Sequence, residues 1–319
     1  MDKRKKLIVS HAPFWHDGSS ISERSYHTML AALPAVLLGF FQYGMPAVGV
    51  VSLSISSAMI WELVINKITK RPVTIGDGTT ALIGLIFAML LPASSPWWLV
   101  VTGTFVAVLI GKHIYGGIGG NPFNPVLIGI AILTLSWKDY FDFNEMLVNY
   151  DLGFTMFYPL AAAKYFGTFA VDSITTVDLL FGRQAGGIGS TFGLGLLLGG
   201  VYLIVRGFIR WEISASFLAG VFVTALIFNA TDSARYAGPL FHLFTGYTLI
   251  GAFFLATEDS SSPVNFIPML IYGAGAGIMT VLIRNIGAYA DGVVFAVLLM
   301  NLVNPLVDKI RPKAIGKVV

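Results

Sequence analysis

Runs of apolar residues, each ended by proline, glycine or charge, follow one another along almost the whole chain. They predict ten membrane helices, near residues 28–44, 47–65, 78–92, 96–114, 122–136, 191–207, 213–229, 243–257, 264–284 and 289–306. The third, fifth and eighth are shorter than the ~20 residues that cross a bilayer. Broken helices of this kind are expected where a cavity or a cofactor lies at membrane depth.

Two apolar stretches of the chain nearly repeat each other. Residues 81–96 (ALIGLIFAMLLPASSP) and 248–263 (TLIGAFFLATEDSSSP) share seven identical positions at an offset of about 167 residues. Since each half then holds five spans, an odd number, the second half must lie upside down relative to the first. We therefore predict an all-α membrane protein of about ten transmembrane helices, built as two inverted five-helix repeats.

Composition supports a membrane protein and excludes several classes of site. A mean hydropathy of +0.77, with 55% hydrophobic and 12% charged residues, lies outside the range of soluble domains. The chain has no cysteine, which excludes disulfides, iron–sulfur clusters and thiolate metal sites. An electron carried here would need an organic cofactor or a haem. The small net charge of +3 indicates a basic membrane face and no nucleic-acid surface.

The distribution of Lys and Arg predicts the orientation of the chain. The cytoplasmic set comprises Lys3 to Lys6, Lys67, Lys70, Arg71, a loop with Lys112, Arg206, Arg210 and the tail from Lys309. Both termini are then cytoplasmic, in the cytoplasmic (inner) membrane of a prokaryote.

This orientation divides the chain into five regions. They are a cytoplasmic N-terminal segment (1–27), a first membrane repeat (28–136), an extracytoplasmic loop (137–190), a second membrane repeat (191–308) and a basic cytoplasmic tail (309–319). In the N-terminal segment, Ser20 and Glu23 predict a capping box at the start of a surface helix. The loop is rich in Trp and Tyr, so we expect it to be ordered.

The strongest local pattern is the glycine–asparagine segment, residues 116–125 (GGIGGNPFNP). Glycines let backbone approach a flat ligand closely. The amides of Asn121 and Asn124 offer both donors and acceptors, which suits the edge of a flavin or nucleobase. The alternative is a tight turn between helices, with Asn as the N-cap and Pro at the first helical position.

Other polar residues near span ends allow a structural or a functional interpretation. For Asp77 and Asp291 the alternatives are a solvated carboxylate and a place in an ion path. For His113 and His242 we expect structural hydrogen bonds. Glycine-rich helix stretches, at 193–200 and 273–277, predict close helix packing.

Five stretches, in order along nearly the whole chain, resemble the RnfD/NqrB family of the Rnf and sodium-pumping quinone-reductase complexes. They are residues 24–29 (RSYHTM), 116–125, 199–203 (GGVYL), 253–257 (FFLAT) and 291–301 (DGVVFAVLLMN). The resemblance implies a core like that of urea transporters. It also implies a flavin-carrying subunit that is not catalytic alone. Its partners would be other membrane subunits, extracytoplasmic flavin subunits and a cytoplasmic subunit with the NAD site.

The resemblance further implies two flavin sites. In the family, a segment matching Gly116, Gly117, Gly119 and Gly120, with asparagines at the positions of Asn121 and Asn124, lies at a non-covalent riboflavin. A covalent FMN is joined to the last Thr of a D-x-x-S/T-G-A-T motif in the outer loop.

This chain departs from the covalent motif. Asp172 and Thr175 match it, but Thr176 and Val177 replace its Gly and Ala, and Asp178 occupies the acceptor position. A carboxylate does not replace the hydroxyl that accepts the phosphoester. We therefore expect the covalent FMN to be absent. The alternative is attachment at Thr175 or Thr176 in a shifted register.

The functional prediction is a membrane subunit that helps to couple electron transfer between ferredoxin and NAD to movement of Na⁺ or H⁺. The alternative is a urea-transporter-like channel or secondary transporter without a redox role. A third interpretation is a scaffold that has lost its cofactors. Flavin content would distinguish the first from the other two.

Overall fold

The protein is helical throughout the part that the computed structural model describes, residues 20–154 and 157–310. Within those ranges, helices and turns account for the regular structure and no β-strand occurs. The basic clusters predicted at Lys3 to Lys6 and from Arg311 onward lie outside the described residues.

Fourteen α-helices follow one another in the described ranges. They are α1 (Ile21–Tyr43), α2 (Met45–Ile68), α3 (Thr79–Met89), α4 (Trp97–Val106), α5 (Pro125–Ser136), α6 (Phe143–Met146), α7 (Pro159–Phe166), α8 (Thr176–Leu180), α9 (Gly193–Val205), α10 (Trp211–Thr231), α11 (Pro239–Phe244), α12 (Thr248–Ile250), α13 (Phe266–Asn285) and α14 (Val293–Val307).

Two of these helices continue with a wider turn. α4 runs on as a π-helix over Ala107–His113, and α12 runs on as a π-helix over Gly251–Leu255. Short 3₁₀-helices lie at Ile75–Asp77, Lys138–Phe141 and Thr168–Val171. π-turns inside α-helices occur frequently at functional sites. Residues next to the two π-helices are therefore candidates for a functional site.

The predicted helical character is confirmed, since each of the ten segments predicted from the apolar pattern contains a helix. Three of them, α2, α10 and α13, are long and apolar enough to cross a membrane. The predicted short elements are short: α3 has 11 residues and α5 has 12. The eighth span is broken into α11, α12 and the second π-helix.

The start of the first helix differs from the prediction. Ser20 is its N-cap, because its hydroxyl accepts a hydrogen bond from the Glu23 backbone N–H at 3.0 Å; this is one of the two bonds of the predicted capping box. However, α1 then continues without a break to Tyr43. The surface helix and the first span, predicted as two elements divided at residue 27, are one helix. Nothing in residues 24–28 interrupts it, since the polar side chains there still allow helical backbone.

Glycines bring pairs of helices into close contact, as predicted. A Cβ at Gly277 of α13 would lie 2.2 Å from the Phe217 carbonyl oxygen of α10. A Cβ at Gly199 of α9 would lie 2.1 Å from the Ala31 carbonyl oxygen of α1. At both contacts only glycine lets the two backbones approach this closely.

The long connection at 137–190 carries helices of its own, α6, α7 and α8. Asn144 accepts a hydrogen bond from the Tyr158 backbone N–H at 2.7 Å. Thr168 donates from its backbone N–H to the Ala234 carbonyl at 3.0 Å, just beyond the end of α10. These contacts agree with the expectation of an ordered loop, apart from residues 155–156, which lie outside the described ranges.

Candidate functional site

The glycines of the glycine–asparagine segment form an exposed turn with open space around it. Gly116, Gly117 and Gly119 have φ angles of 112°, 107° and 83°, in the left-handed region that favours glycine. A Cβ added at any of the three would meet no atom within 4 Å. A flat ligand or a partner surface could therefore approach this backbone directly.

Asn124 serves the structure of the segment. Its Oδ1 accepts from the Val126 backbone N–H at 2.9 Å and caps α5, whose first residue is Pro125. Its Nδ2 donates to the Leu255 carbonyl at 3.0 Å, at the end of the second π-helix. The interpretation as an N-cap followed by proline thus describes the geometry of Asn124, with an added bond between the two halves of the chain.

Asn121 keeps one polar atom available. The residue is only 4% exposed. Its Nδ2 donates to the Phe123 carbonyl at 3.0 Å and to Glu258 Oε1 at 3.3 Å. No hydrogen bond from a described residue reaches its Oδ1. Contact of Asn121 and Asn124 with a flavin stays a prediction.

A buried ion pair, which the sequence analysis did not single out, joins α2 to the first π-helix. Lys112 Nζ lies 2.8 Å from Glu62 Oε1 and donates to the hydroxyls of Thr79 and Thr80 at 2.8 and 2.7 Å. Thr74 donates to the same Glu62 oxygen at 2.6 Å. The other carboxylate oxygen, Glu62 Oε2, is buried and has no partner among the described residues.

The position of Lys112 corrects a prediction. The Lys/Arg pattern predicts a cytoplasmic loop at this position, but the residue lies inside a helix and is 3% exposed. A buried ammonium needs a counter-charge and hydrogen-bond acceptors. Glu62 and the two threonines supply both, and these partners lie far away in the sequence.

A second buried ion pair joins the end of α13 to the start of α14. Arg284 Nη2 lies 3.0 Å from Asp291 Oδ1, and Arg284 Nη1 donates to the His242 carbonyl at 2.9 Å. Asp291 Oδ2 accepts from the Tyr247 backbone N–H at 2.7 Å. Asp291 is therefore not a solvated carboxylate, because its side chain is paired and only 8% exposed.

Asp77 accepts hydrogen bonds from the first residue of α3, and the two histidines differ from expectation. Asp77 Oδ1 accepts from the backbone N–H and the hydroxyl of Thr79 at 2.8 and 2.7 Å, at the start of α3. His113 and His242 are both buried, and neither ring nitrogen of either residue has a hydrogen-bond partner among the described residues. The expected structural hydrogen bonds are thus wrong for both side chains, since no described donor or acceptor lies within hydrogen-bond reach of their ring nitrogens.

The segment 172–178, where the resemblance implies a covalent flavin motif, forms a helix start. Thr175 is the N-cap of α8: its hydroxyl accepts from the Asp178 backbone N–H at 3.1 Å and donates to Asp178 Oδ2 at 2.6 Å. The hydroxyl bond from Thr175 lowers the pKa of Asp178 below its ordinary value. This reciprocal cap is therefore present above the ordinary carboxyl pKa and is lost as the pH falls through the lowered one.

Several polar side chains next to this cap do not take part in its hydrogen bonds. Thr176 is the exposed first residue of α8, and Asp172 is exposed before it. Arg183 pairs with Asp178 at 3.3 Å. Asp178 and Arg183 border a cavity of about 420 Å³, which Phe154, Phe157 and Gln184 also line. Gln184 is buried, and its Oε1 has no partner among the described residues.

Comparison with known proteins identifies the family. The model of the "NQR2, RnfD, RnfE family" matches residues 8–316. The D component of the proton-translocating ferredoxin:NAD⁺ oxidoreductase complex of Clostridium ljungdahlii is 34% identical, covering 96% of this chain and 95% of the relative.

Two further relatives agree. The D component of the Na⁺-translocating ferredoxin:NAD⁺ oxidoreductase complex of Acetobacterium woodii is 33% identical, covering 97% of this chain and 95% of the relative. The D component of the ion-translocating oxidoreductase complex of Pseudomonas aeruginosa is 35% identical, with coverage of 90% and 89%. The apolar helices described above fit the same assignment. The chain therefore belongs to the NQR2, RnfD, RnfE family.

Proposed function

We propose that this protein is the RnfD-type subunit of an Rnf-type complex in the inner membrane of a prokaryote. In this role it helps to couple electron transfer between ferredoxin and NAD to the movement of Na⁺ or H⁺. The observation that carries the proposal is similarity over residues 8–316, which spans both halves of the chain and the loop between them. The partners are the other membrane subunits, the extracytoplasmic flavin subunits and the cytoplasmic subunit with the NAD site.

The experiment that tests this role is complementation. A strain that lacks its own RnfD-type subunit should regain ferredoxin:NAD⁺ oxidoreductase activity in membranes when this chain is expressed. An affinity tag on the chain should retrieve the other subunits. Activity that stays at the level of the deletion strain, despite a correctly inserted chain, would contradict the proposal.

The membrane topology belongs to the same proposal. Ten spans in two inverted repeats agree with the order of the helices, because short α3 lies between α2 and α4 as short α12 lies between α10 and α13. In both halves the helix after the short one ends with a buried cation. Lys112 lies in the π-helix that continues α4, and Arg284 lies in the last turn of α13. Both termini and the glycine–asparagine segment would then face the cytoplasm.

We propose that a non-covalent flavin lies against the glycine–asparagine segment. Three glycines with open space allow backbone approach, and Asn121 Oδ1 is an available acceptor for a ring or ribityl donor. Asn124 contributes by capping α5, which holds the segment in place. A bound flavin supplies one- and two-electron redox chemistry, which the side chains of this cysteine-free chain do not provide.

We further propose that the covalent FMN is absent from this chain. Asp178 offers no hydroxyl, and the Thr175 hydroxyl is engaged in both directions by Asp178. Thr176 remains as the exposed alternative acceptor. The cavity of about 420 Å³ beside this segment offers a place where a partner-borne carrier would dock at the loop.

The buried ion pairs support a place for this chain in ion movement. Glu62 and Asp291 are carboxylates held inside an apolar protein, where such groups are costly and mark ion pathways. Each is neutralised by a cation, so uptake of a further cation requires the pair to open. The rival, a urea-transporter-like channel or secondary transporter without a redox role, predicts a protein without flavin.

A further inference from the structure

A small cavity between α7, α11 and the end of α13 holds a group of positively charged and donor side chains. Its volume is about 30 Å³, enough for an ion or a water molecule, since one water needs ~10–15 Å³. Its polar lining comprises Lys164, Arg235, Tyr236, His242, Arg284 and Asn285. The cavity is separate from the glycine–asparagine segment, from the Glu62–Lys112 pair and from the cavity at residues 172–178.

Two polar side chains at this cavity have groups without partners among the described residues. His242 is 3% exposed, and neither of its ring nitrogens makes a hydrogen bond. Asn285 Nδ2 is likewise buried and unpartnered. A neutral imidazole carries one N–H, so the two residues together offer donors for a bound species. Buried donors of this kind are normally satisfied by a protein group, a water or an ion.

The charges around the cavity favour an anion over a cation. Lys164, Arg235 and Arg284 carry positive charge, and no carboxylate lines the cavity among the described residues. Arg284 is neutralised nearby by its bond to Asp291. Lys164 is held in place by the carbonyls of residues 287 and 289, at 2.6 and 2.7 Å. Its ammonium is therefore fixed beside the cavity by neutral acceptors.

We propose that this cavity binds a small monovalent inorganic anion of the size of chloride. The Nδ2 of Asn285 and an N–H of His242 donate to the anion. Lys164 and Arg235 supply the positive potential that distinguishes an anion site from a water site. Nothing in this assignment depends on the redox role of the protein.

Chloride titration of the purified full-length chain in detergent tests the proposal. The unfolding temperature is measured while sodium chloride replaces sodium gluconate at constant sodium and ionic strength, because gluconate is too large for the cavity. We expect a saturable rise with chloride. The His242→Phe variant should show an apparent chloride affinity lowered about tenfold, the effect of losing about 1.4 kcal/mol.

The matched control is His113→Phe. His113 is also buried with both ring nitrogens unpartnered among the described residues, but it adjoins Lys112, whose charge Glu62 neutralises. This variant should keep the chloride response of the parent chain. Loss of the response in both variants would show a general effect of removing a buried imidazole and would overturn the assignment.

A second variant and a direct observation cover the case in which His242→Phe does not fold. Asn285→Ala, at the partly exposed end of α13, should also weaken the chloride response. Crystals grown in bromide should show an anomalous peak in the cavity. A response equal in chloride and gluconate, or a cavity that holds water alone in bromide, would contradict the proposal.

Discussion

At the scale of single residues, Lys112 and Arg284 show how this chain buries charge beside specific partners. Each is almost fully buried, and each lies against a carboxylate. Neither pair has a signal in the local sequence pattern; the partner Glu62, for example, is 50 positions away from Lys112. Asp291 and Arg284 are close in sequence, but their burial follows from helices that pack around them.

The first prediction concerns the Glu62–Lys112 pair. Lys112→Met should lower the free energy of unfolding by about 3–5 kcal/mol, because it leaves Glu62 buried without a counter-charge. The double variant Glu62→Gln with Lys112→Met should recover part of that loss. Unfolding of the purified chain measures both, with Lys138→Met, at an exposed position, as the control. Equal stability of Lys112→Met and the control would refute the pairing.

The second prediction concerns flavin binding at Asn121. Asn121→Leu removes the free Oδ1, so the affinity for the flavin should fall by about 1–3 kcal/mol. Acid-extractable flavin per purified chain measures this loss after dialysis. Asn265→Leu is the control, because Asn265 bonds to Asp308 at 3.1 Å and not to the glycine–asparagine segment. An unchanged flavin content in Asn121→Leu would exclude this contact.

At the scale of elements, the apolar pattern is a good guide to where helices lie and a poor guide to where they begin. Each of the ten segments that the apolar pattern singles out contains a helix, because long apolar runs favour helices that satisfy their own backbone hydrogen bonds. The predicted start of the first membrane helix at residue 28 is wrong, because the more polar residues 21–27 are part of the same helix. The two π-helices have no signal in the apolar pattern.

The third prediction tests the contact between α10 and α13. Gly277→Ala should destabilise the protein by about 1–3 kcal/mol through overpacking, since the added Cβ would lie 2.2 Å from the Phe217 carbonyl oxygen. Gly49→Ala in α2 is the matched control, because a Cβ there meets nothing within 4 Å. That control should be stabilised by about 0.5–1 kcal/mol. Thermal unfolding in detergent measures both effects. A stability change of the same sign in the two variants would contradict the close contact between α10 and α13.

The fourth prediction concerns the helix start at residues 172–178. The denatured chain should show no flavin fluorescence in a gel, and its intact mass should equal that of the unmodified polypeptide. The reason is that Asp178 provides no hydroxyl and that Thr175 is held in the cap of α8. A peptide containing Thr175 or Thr176 with the added mass of FMN would refute this prediction. It would show that the FMN is attached in the shifted register. Thr176→Ala would then identify which of the two accepts it.

At the scale of the whole molecule, the halves meet through backbone and amide contacts that sequence patterns do not reveal. Asn124 joins the start of α5 to Leu255 at the end of the second π-helix, and Asn121 reaches Glu258. The repeated apolar stretches indicated that such a junction exists. Which side chains form it depends on contacts across more than 130 positions. The position of Asn124 as an N-cap was predictable because its signal is local.

The most direct test of the proposed role is the flavin content of the purified, membrane-extracted chain. An absorption spectrum, followed by acid extraction and identification of the released flavin, gives the amount bound without a covalent link. We expect a flavin spectrum, release of the flavin by acid, and a polypeptide without flavin after extraction. A chain that carries no flavin in the intact complex would contradict the redox role and favour the channel or transporter.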